Sequence, residues 1–300
     1  MRVLGRLVGL LGVLPLPLAA QSLHYEGSAS LASGTYIFAE RTNSWMLSSG
    51  LALTAGPVTV RASVPAYLQN TTLIAGTTVG PIPTGGASSD AVRDSSAARR
   101  GRDASGGGMG AVAPDFSVAT AESGTADEVD VPASAVTGLR ATVGDPNVGV
   151  SASLLRTSRI SLMLGATAKI PVTDTASLGT GAWDVGGSLS VSYVLGGSTM
   201  LSANLGYWVM GDLPELALRN PILGSVGLAH LFLTGWGFSS GVYASQSMIE
   251  GFADPVSLGA GVMRGASLGS VGVTVSVGLT ETAPDVSIAA SWRFNLLSNR

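Results

Sequence analysis

The dominant pattern along the chain is an alternation, at period two, of apolar with small or polar residues. Over 271–279, Val271, Val273, Val275, Val277 and Leu279 alternate with Gly272, Thr274, Ser276 and Gly278. Over 286–294, Val286, Ile288, Ala290, Trp292 and Phe294 alternate with Ser287, Ala289, Ser291 and Arg293. Over 160–170, Ile160, Leu162, Leu164, Ala166, Ala168 and Ile170 interleave with Ser161, Met163, Gly165, Thr167 and Lys169. Side chains alternate faces along a strand, so each segment has one greasy face and one face of small groups. Such segments predict about twelve strands, near 31–39, 46–55, 57–66, 147–156, 159–171, 183–195, 199–209, 222–232, 235–246, 256–264, 268–279 and 285–294.

The chemistry of the two faces decides the solvent. A soluble sheet places Lys, Glu, Arg or Thr on its wet face. Here the polar faces are mostly Gly, Ser, Thr and Ala, with an occasional single charge. The apolar faces run for about ten residues, the length a tilted membrane strand needs. Connections at 56, 157–158, 196–198, 233–234 and 265–267 are short and alternate with longer ones at 40–45, 67–146, 172–182, 210–221, 247–255 and 280–284. Barrels of bacterial outer membranes have this rhythm of short periplasmic turns and longer external loops. The expected fold is all-β, a transmembrane antiparallel up-and-down β-barrel of about 12 strands over 21–300, with one long external loop at 67–146. That loop reads as largely flexible, since 84–110 is rich in Gly, Ser, Ala and charge without an apolar period. A folded-in plug, or an extra hairpin near 111–121, is the alternative for it.

Composition narrows the classes. With 46% hydrophobic and 12% charged residues, helical membrane spans come to mind first, yet past residue 20 no uncharged apolar run approaches the ~18–20 residues a spanning helix needs. Residues 1–20 read as a cleaved secretory signal, with Arg2 and Arg6 as its positive end, Leu7 to Leu18 as its apolar stretch and Ala19-Ala20 before the cut. Losing those arginines leaves the exported chain more acidic than the net −3 of the whole, which excludes the basic surface of a nucleic-acid binder. There is no cysteine, hence no disulfide and no thiolate metal site. No P-loop, dinucleotide glycine pattern or metal-binding His pair is present, so no cofactor and no metal are expected.

With the apolar faces on lipid, Arg61, Lys169, Asn204, Trp208 and Arg293 are the candidate lumen-facing residues. The alternative for the charged ones is simple pairing with loop carboxylates. Asp174 and Asp184 flank an external loop and are assigned to turn formation. Trp45, Tyr67, Trp183, Trp208, Tyr243 and Trp292 fall near strand ends, where interfacial aromatics anchor barrels. Trp292 and Phe294, on the last strand, form a candidate insertion signal for the barrel-assembly machinery. His230, near Ser225, Ser239 and Ser240, is the place to look for a lipid hydrolase, but no third group orients it, and the chain is read as no enzyme.

The run Lys169-Ile170-Pro171 through Asp174, followed by Leu178-Gly179-Thr180-Gly181-Ala182-Trp183-Asp184-Val185-Gly186, resembles a signature of the outer-membrane proteins grouped with the phenol meta-degradation pathway. Gly144-Asp145-Pro146 and Asn204-Leu205-Gly206-Tyr207 are similar to two further elements of that family. The likeness covers 138–294 well and the first three strands loosely. Pro171-Val172-Thr173-Asp174 lacks the glycine that the family places before its aspartate, and the 67–146 loop is unusually long. The resemblance implies an outer-membrane channel or transporter of a Gram-negative-type bacterium, passing small aromatic or other organic solutes. The expected partners are outer-membrane lipids, the assembly machinery and that solute, with the oligomeric state open. A lipid hydrolase and a non-transporting surface barrel displaying the long loop are the other readings.

Overall fold

The structure, a computed structural model, describes residues 21–38, 40–71, 73–77, 80–84, 137–173, 181–212 and 217–298. The described segments hold fifteen strands: β1 (Gln21–Gly34), β2 (Thr42–Ala55), β3 (Val58–Thr71), β4 (Ile74–Gly76), β5 (Pro81–Pro83), β6 (Thr137–Val143), β7 (Asn147–Arg156), β8 (Ile160–Lys169), β9 (Asp184–Gly196), β10 (Thr199–Val209), β11 (Ile222–Leu231), β12 (Trp236–Ser245), β13 (Val256–Ala266), β14 (Gly269–Gly278) and β15 (Val286–Ser298). No helix among the described residues is long and apolar enough to cross a membrane.

Neighbours in sequence pair antiparallel around the sheet, and β1 pairs with both β2 and β15. β3 pairs with β2 on one side; on the other it pairs with β7 through its first half and with β6 through its second. β6 and β7 are therefore one stave, broken at Gly144-Asp145-Pro146, where the proline cannot donate to the ladder. With that stave counted once and the β4–β5 hairpin set apart, the sheet closes as a barrel of twelve staves. Closure leaves no open edge along the wall, which a hydrocarbon surround requires.

Outward positions are apolar and exposed: Leu51, Val150, Leu164, Leu189, Leu205, Val226, Leu258, Val273 and Ile288 lie on the outer wall. A water-soluble domain of this size would bury such residues. Here they are the membrane face, and the inward positions are Gly, Ser, Thr and Ala. Tight hairpins close one end, with Gly56 (φ 57°) and Gly197 (φ 55°) in the left-handed conformation that lets two-residue turns match strand twist.

Three differences from the predicted pattern stand out. The first strand is Gln21–Gly34, not 31–39. Its outer face reads Leu23, Tyr25, Gly27, Ala29, Leu31, and the small residues mask the period. Gly27 is required because the Trp292 indole of β15 lies across it; a Cβ there would meet Trp292 Cε2 at 2.5 Å. Gly27→Ala should therefore loosen the β1–β15 seam by about 1–3 kcal/mol, lowering the temperature at which the unboiled band disappears on a gel. The third strand runs to Thr71 instead of 66, and a further strand begins at Thr137, so the described chain encroaches on both ends of the expected 67–146 loop. Residues 85–136, with nearly all of the stretch read as flexible and the alternative hairpin near 111–121, lie outside the described residues, as do the leader and Asp174.

The one close-packed apolar core among the described residues is not in the wall. It lies at the long-loop end and joins Tyr36, Ile37 and Phe38 (β1–β2 loop), Leu73, Ile74 and Ile82 (the β4–β5 hairpin), Met210 and Leu218 (β10–β11 loop), and Met248, Ile249 and Phe252 (β12–β13 loop), with Trp208 packed beneath. Four connections thus fold together into a cap. The run Ile37-Phe38, read from sequence as a strand end, belongs to this cap, because a short apolar run has no period to reveal its partner. Tyr36 adopts φ 53° in it; burial, with Asp285 nearby, pushes its phenol above the ordinary tyrosine range.

Candidate functional site

The residues on the inner wall form three levels. Nearest the cap is a buried ion cluster. Lys169 ends β8 and Asp184 opens β9, directly paired in the ladder, with Nζ 2.9 Å from Asp184 Oδ2. Asp145, in the break between β6 and β7, brings Oδ2 to 3.8 Å of the same ammonium. The Asp145 Oδ1 accepts the Val172 and Thr173 amides (2.8 and 2.9 Å) and the Thr173 hydroxyl (2.7 Å), while Asp184 Oδ1 accepts the Gly211 amide at 3.1 Å. All three side chains are at most 4% exposed. Lys169, Asp145 and Asp184 are therefore a staple: one cation ties the stave break, the end of β8 and the start of the β10–β11 loop together. Lys169 faces inward, but its ammonium is buried and paired with Asp184 and Asp145. Asp184, assigned from sequence to a turn, is a strand residue and the partner of Lys169; sequence reading missed this because the two meet only through strand pairing.

The middle level is neutral. Asn204 on β10 donates through Nδ2 to Ser190 Oγ at 2.6 Å. Together with Leu223, Ser225, Tyr243, Ser257 and the cap residues Pro81 and Met248, it borders a cavity of about 320 Å³ between the cap and the wall. Trp208 lies across Gly186 and abuts the cap core, so it fills space under the cap and Gly186 is small to admit it. Tyr243 also points inward, whereas Trp45 and Trp183 are half exposed at the long-loop end, as interfacial anchors would be.

The level nearest the short turns is charged. Arg293 on β15 makes a close ion pair with Glu26 on β1, and Arg61 on β3 brings Nε to 3.7 Å of the other oxygen of the same carboxylate. The partner of both arginines is thus a wall residue and not a loop carboxylate. Glu26 is a member of this level that sequence reading missed, because the first strand was placed too late in the chain to include it. Arg61 also lines a second cavity, of about 210 Å³, with Ser63, Asn147, Ser151, Thr167, Ser188 and Ser190. A third space, of about 390 Å³, is bordered by Glu26, Arg293, Ser239, Ser270 and Thr274.

Both histidines are accounted for. His24 shares one hydrogen with Asn295 Oδ1 through Nδ1 (2.9 Å) and another with Ser22 Oγ through Nε2 (3.0 Å), pinning β1 to β15 beside an irregularity in their pairing. His230 bonds the Thr199 hydroxyl through Nδ1 (2.8 Å) and sets its ring edge-on to Phe232 on the outer wall. Among the described residues no serine bonds His230, and no group of His, Asp and Glu is arranged to hold a metal ion. Trp292 and Phe294 occupy the outer face of the last strand, Trp292 over Gly27 and Phe294 exposed.

No family model matches the chain, and no curated protein does. Among solved structures it is similar to the COG4313 outer membrane channel from Pseudomonas putida F1, with TM-score 0.57 and 10% identity over 94% of this chain and 97% of that one. It also matches the NanC porin (TM-score 0.47, 7% identity, 92% and 100% covered) and the CymD monoaromatic hydrocarbon channel (0.43, 11%, 91% and 88%). At these identities the first likeness shows the fold: a closed antiparallel barrel of the outer-membrane kind.

Proposed function

We propose that the chain, exported by a cleaved signal peptide, is a channel of a Gram-negative-type outer membrane for passive passage of small, aromatic or other organic solutes. The observation that carries this reading is the inverted distribution of polarity. The wall is apolar outside, its inner face is small and hydroxyl-rich, and three cavities border that face, one of them under a cap built from loops. A barrel of twelve staves is wider than the eight-stranded kind that side chains fill and narrower than sixteen-stranded porins, which suits a narrow path that loops can restrict. The first cavity under the cap combines apolar Leu223 and Met248 with Asn204, Ser225 and Tyr243, the mixture of greasy wall and few polar groups usual for small organic ligands.

The test is reconstitution. Unboiled, detergent-extracted protein should migrate faster than boiled protein, and in planar bilayers it should give discrete conductance steps. A folded, heat-modifiable barrel with neither conductance nor solute flux into liposomes would overturn the channel reading and leave the fold intact.

A further inference from the structure

We infer that the lumen selects small anions, and in particular small carboxylates that also carry a hydroxyl, at a belt formed by Arg61, Glu26 and Arg293. This rests on the channel reading and names its solute class.

Two guanidinium groups share one carboxylate, which leaves one net positive charge inside the wall. The sharing is unequal: Arg293 grips Glu26 closely, whereas Arg61 approaches it only through Nε at 3.7 Å and is 48% exposed. The remaining donors of Arg61 are thus available to the cavity it lines. The short-turn end adds to this sign, since Arg156 and Arg159 stand there and no acidic residue occupies its five tight turns. At the opposite end Asp285 is paired with Arg41 and Asp254 is exposed to solvent, where the field of a charge is screened within about 8 Å at physiological ionic strength. A low-dielectric wall focuses the field of the inner belt, so selection falls to the belt.

The second observation is independent of charge. Buried polar atoms normally have partners. Asn147 Oδ1 and Ser151 Oγ are buried without one, and both residues line the cavity of Arg61; Arg293 Nε, at the belt itself, is a third. An acceptor, a hydroxyl and a cation around a cavity of about 210 Å³ match a ligand that brings a carboxylate for Arg61 and a hydroxyl proton for Asn147. A simple halide would satisfy the cation and leave the amide oxygen as it is.

The experiment uses the full mature chain in planar bilayers and in liposomes. Under a potassium chloride gradient the reversal potential should show preference for chloride over potassium. Liposome flux should be faster for lactate than for acetate, and faster for either than for glycerol. Arg61→Gln should abolish the anion preference and slow lactate toward glycerol. Glu26→Gln, which frees both arginines, should instead strengthen the preference, a change in the direction that a folding defect cannot produce. Discrete conductance with cation preference, or preference unmoved by both substitutions, would overturn the belt and leave the channel standing. Anion preference with lactate no faster than acetate would overturn the hydroxyl site. Absence of any conductance would remove the channel and the belt together.

Discussion

Replacing Leu73, Ile74 and Ile82 together with serine is expected to raise single-channel conductance several-fold while leaving the barrel heat-modifiable. These three side chains are at most 2% exposed and form the hairpin's share of the cap core. Fully burying a side chain of this size contributes about 1.5–3 kcal/mol, so the triple change removes most of what holds the short β4–β5 hairpin against the mouth. None of the three lies in the wall, whose ladder and outer face are untouched. The effect should therefore divide cleanly: wider or more frequent openings in the bilayer, and an unaltered shift between boiled and unboiled bands. An unchanged conductance would mean that the cap does not stand in the path.

The second large effect concerns Lys169. Lys169→Met keeps most of the side chain's volume but leaves Asp184, fully buried, and Asp145, nearly so, without their shared cation. Breaking a buried ion pair from one side costs about 3–5 kcal/mol. The temperature at which the folded band is lost should drop markedly, and adding Asp184→Asn in the same chain should recover much of the loss, because a neutral pair avoids the stranded charge. If Lys169→Met melts like the parent, the staple is not what holds the end of β8 to the stave break. If Asp184→Asn worsens it further, the remaining penalty does not come from uncompensated charge.

The wall was legible in the sequence to the degree that its outer face is made of large residues. β8 and β14 present Val, Leu and Ile at alternate positions, and their bounds agree with the pattern closely. β1 failed because its period is carried partly by glycine and alanine, whose smallness is dictated by an indole on a strand more than two hundred and fifty residues away. No local window contains that information. The cap was illegible for a related reason: its apolar residues come in pairs and triplets from four separate connections, each too short to show a period. For the inner wall, the alternation alone leads to the expectation that Arg61, Asn204, Trp208 and Arg293 share the face opposite the apolar one. It could not supply partners. Glu26 joins Arg61 across an intervening strand, and Asp145 joins Lys169 through a break in a stave, so both pairings exist only once the sheet is closed.

The cap has one more consequence, since the two parts of the molecule answer to different solvents. The wall is held by backbone hydrogen bonds in hydrocarbon, where an unmade bond has no water to turn to. The cap is held by apolar burial at a watery rim, a force that weakens as temperature falls. Cooling therefore slackens the stopper and spares the tube. On the proposed channel reading, conductance should then rise on cooling, the reverse of what the melting of an ordinary protein leads one to expect.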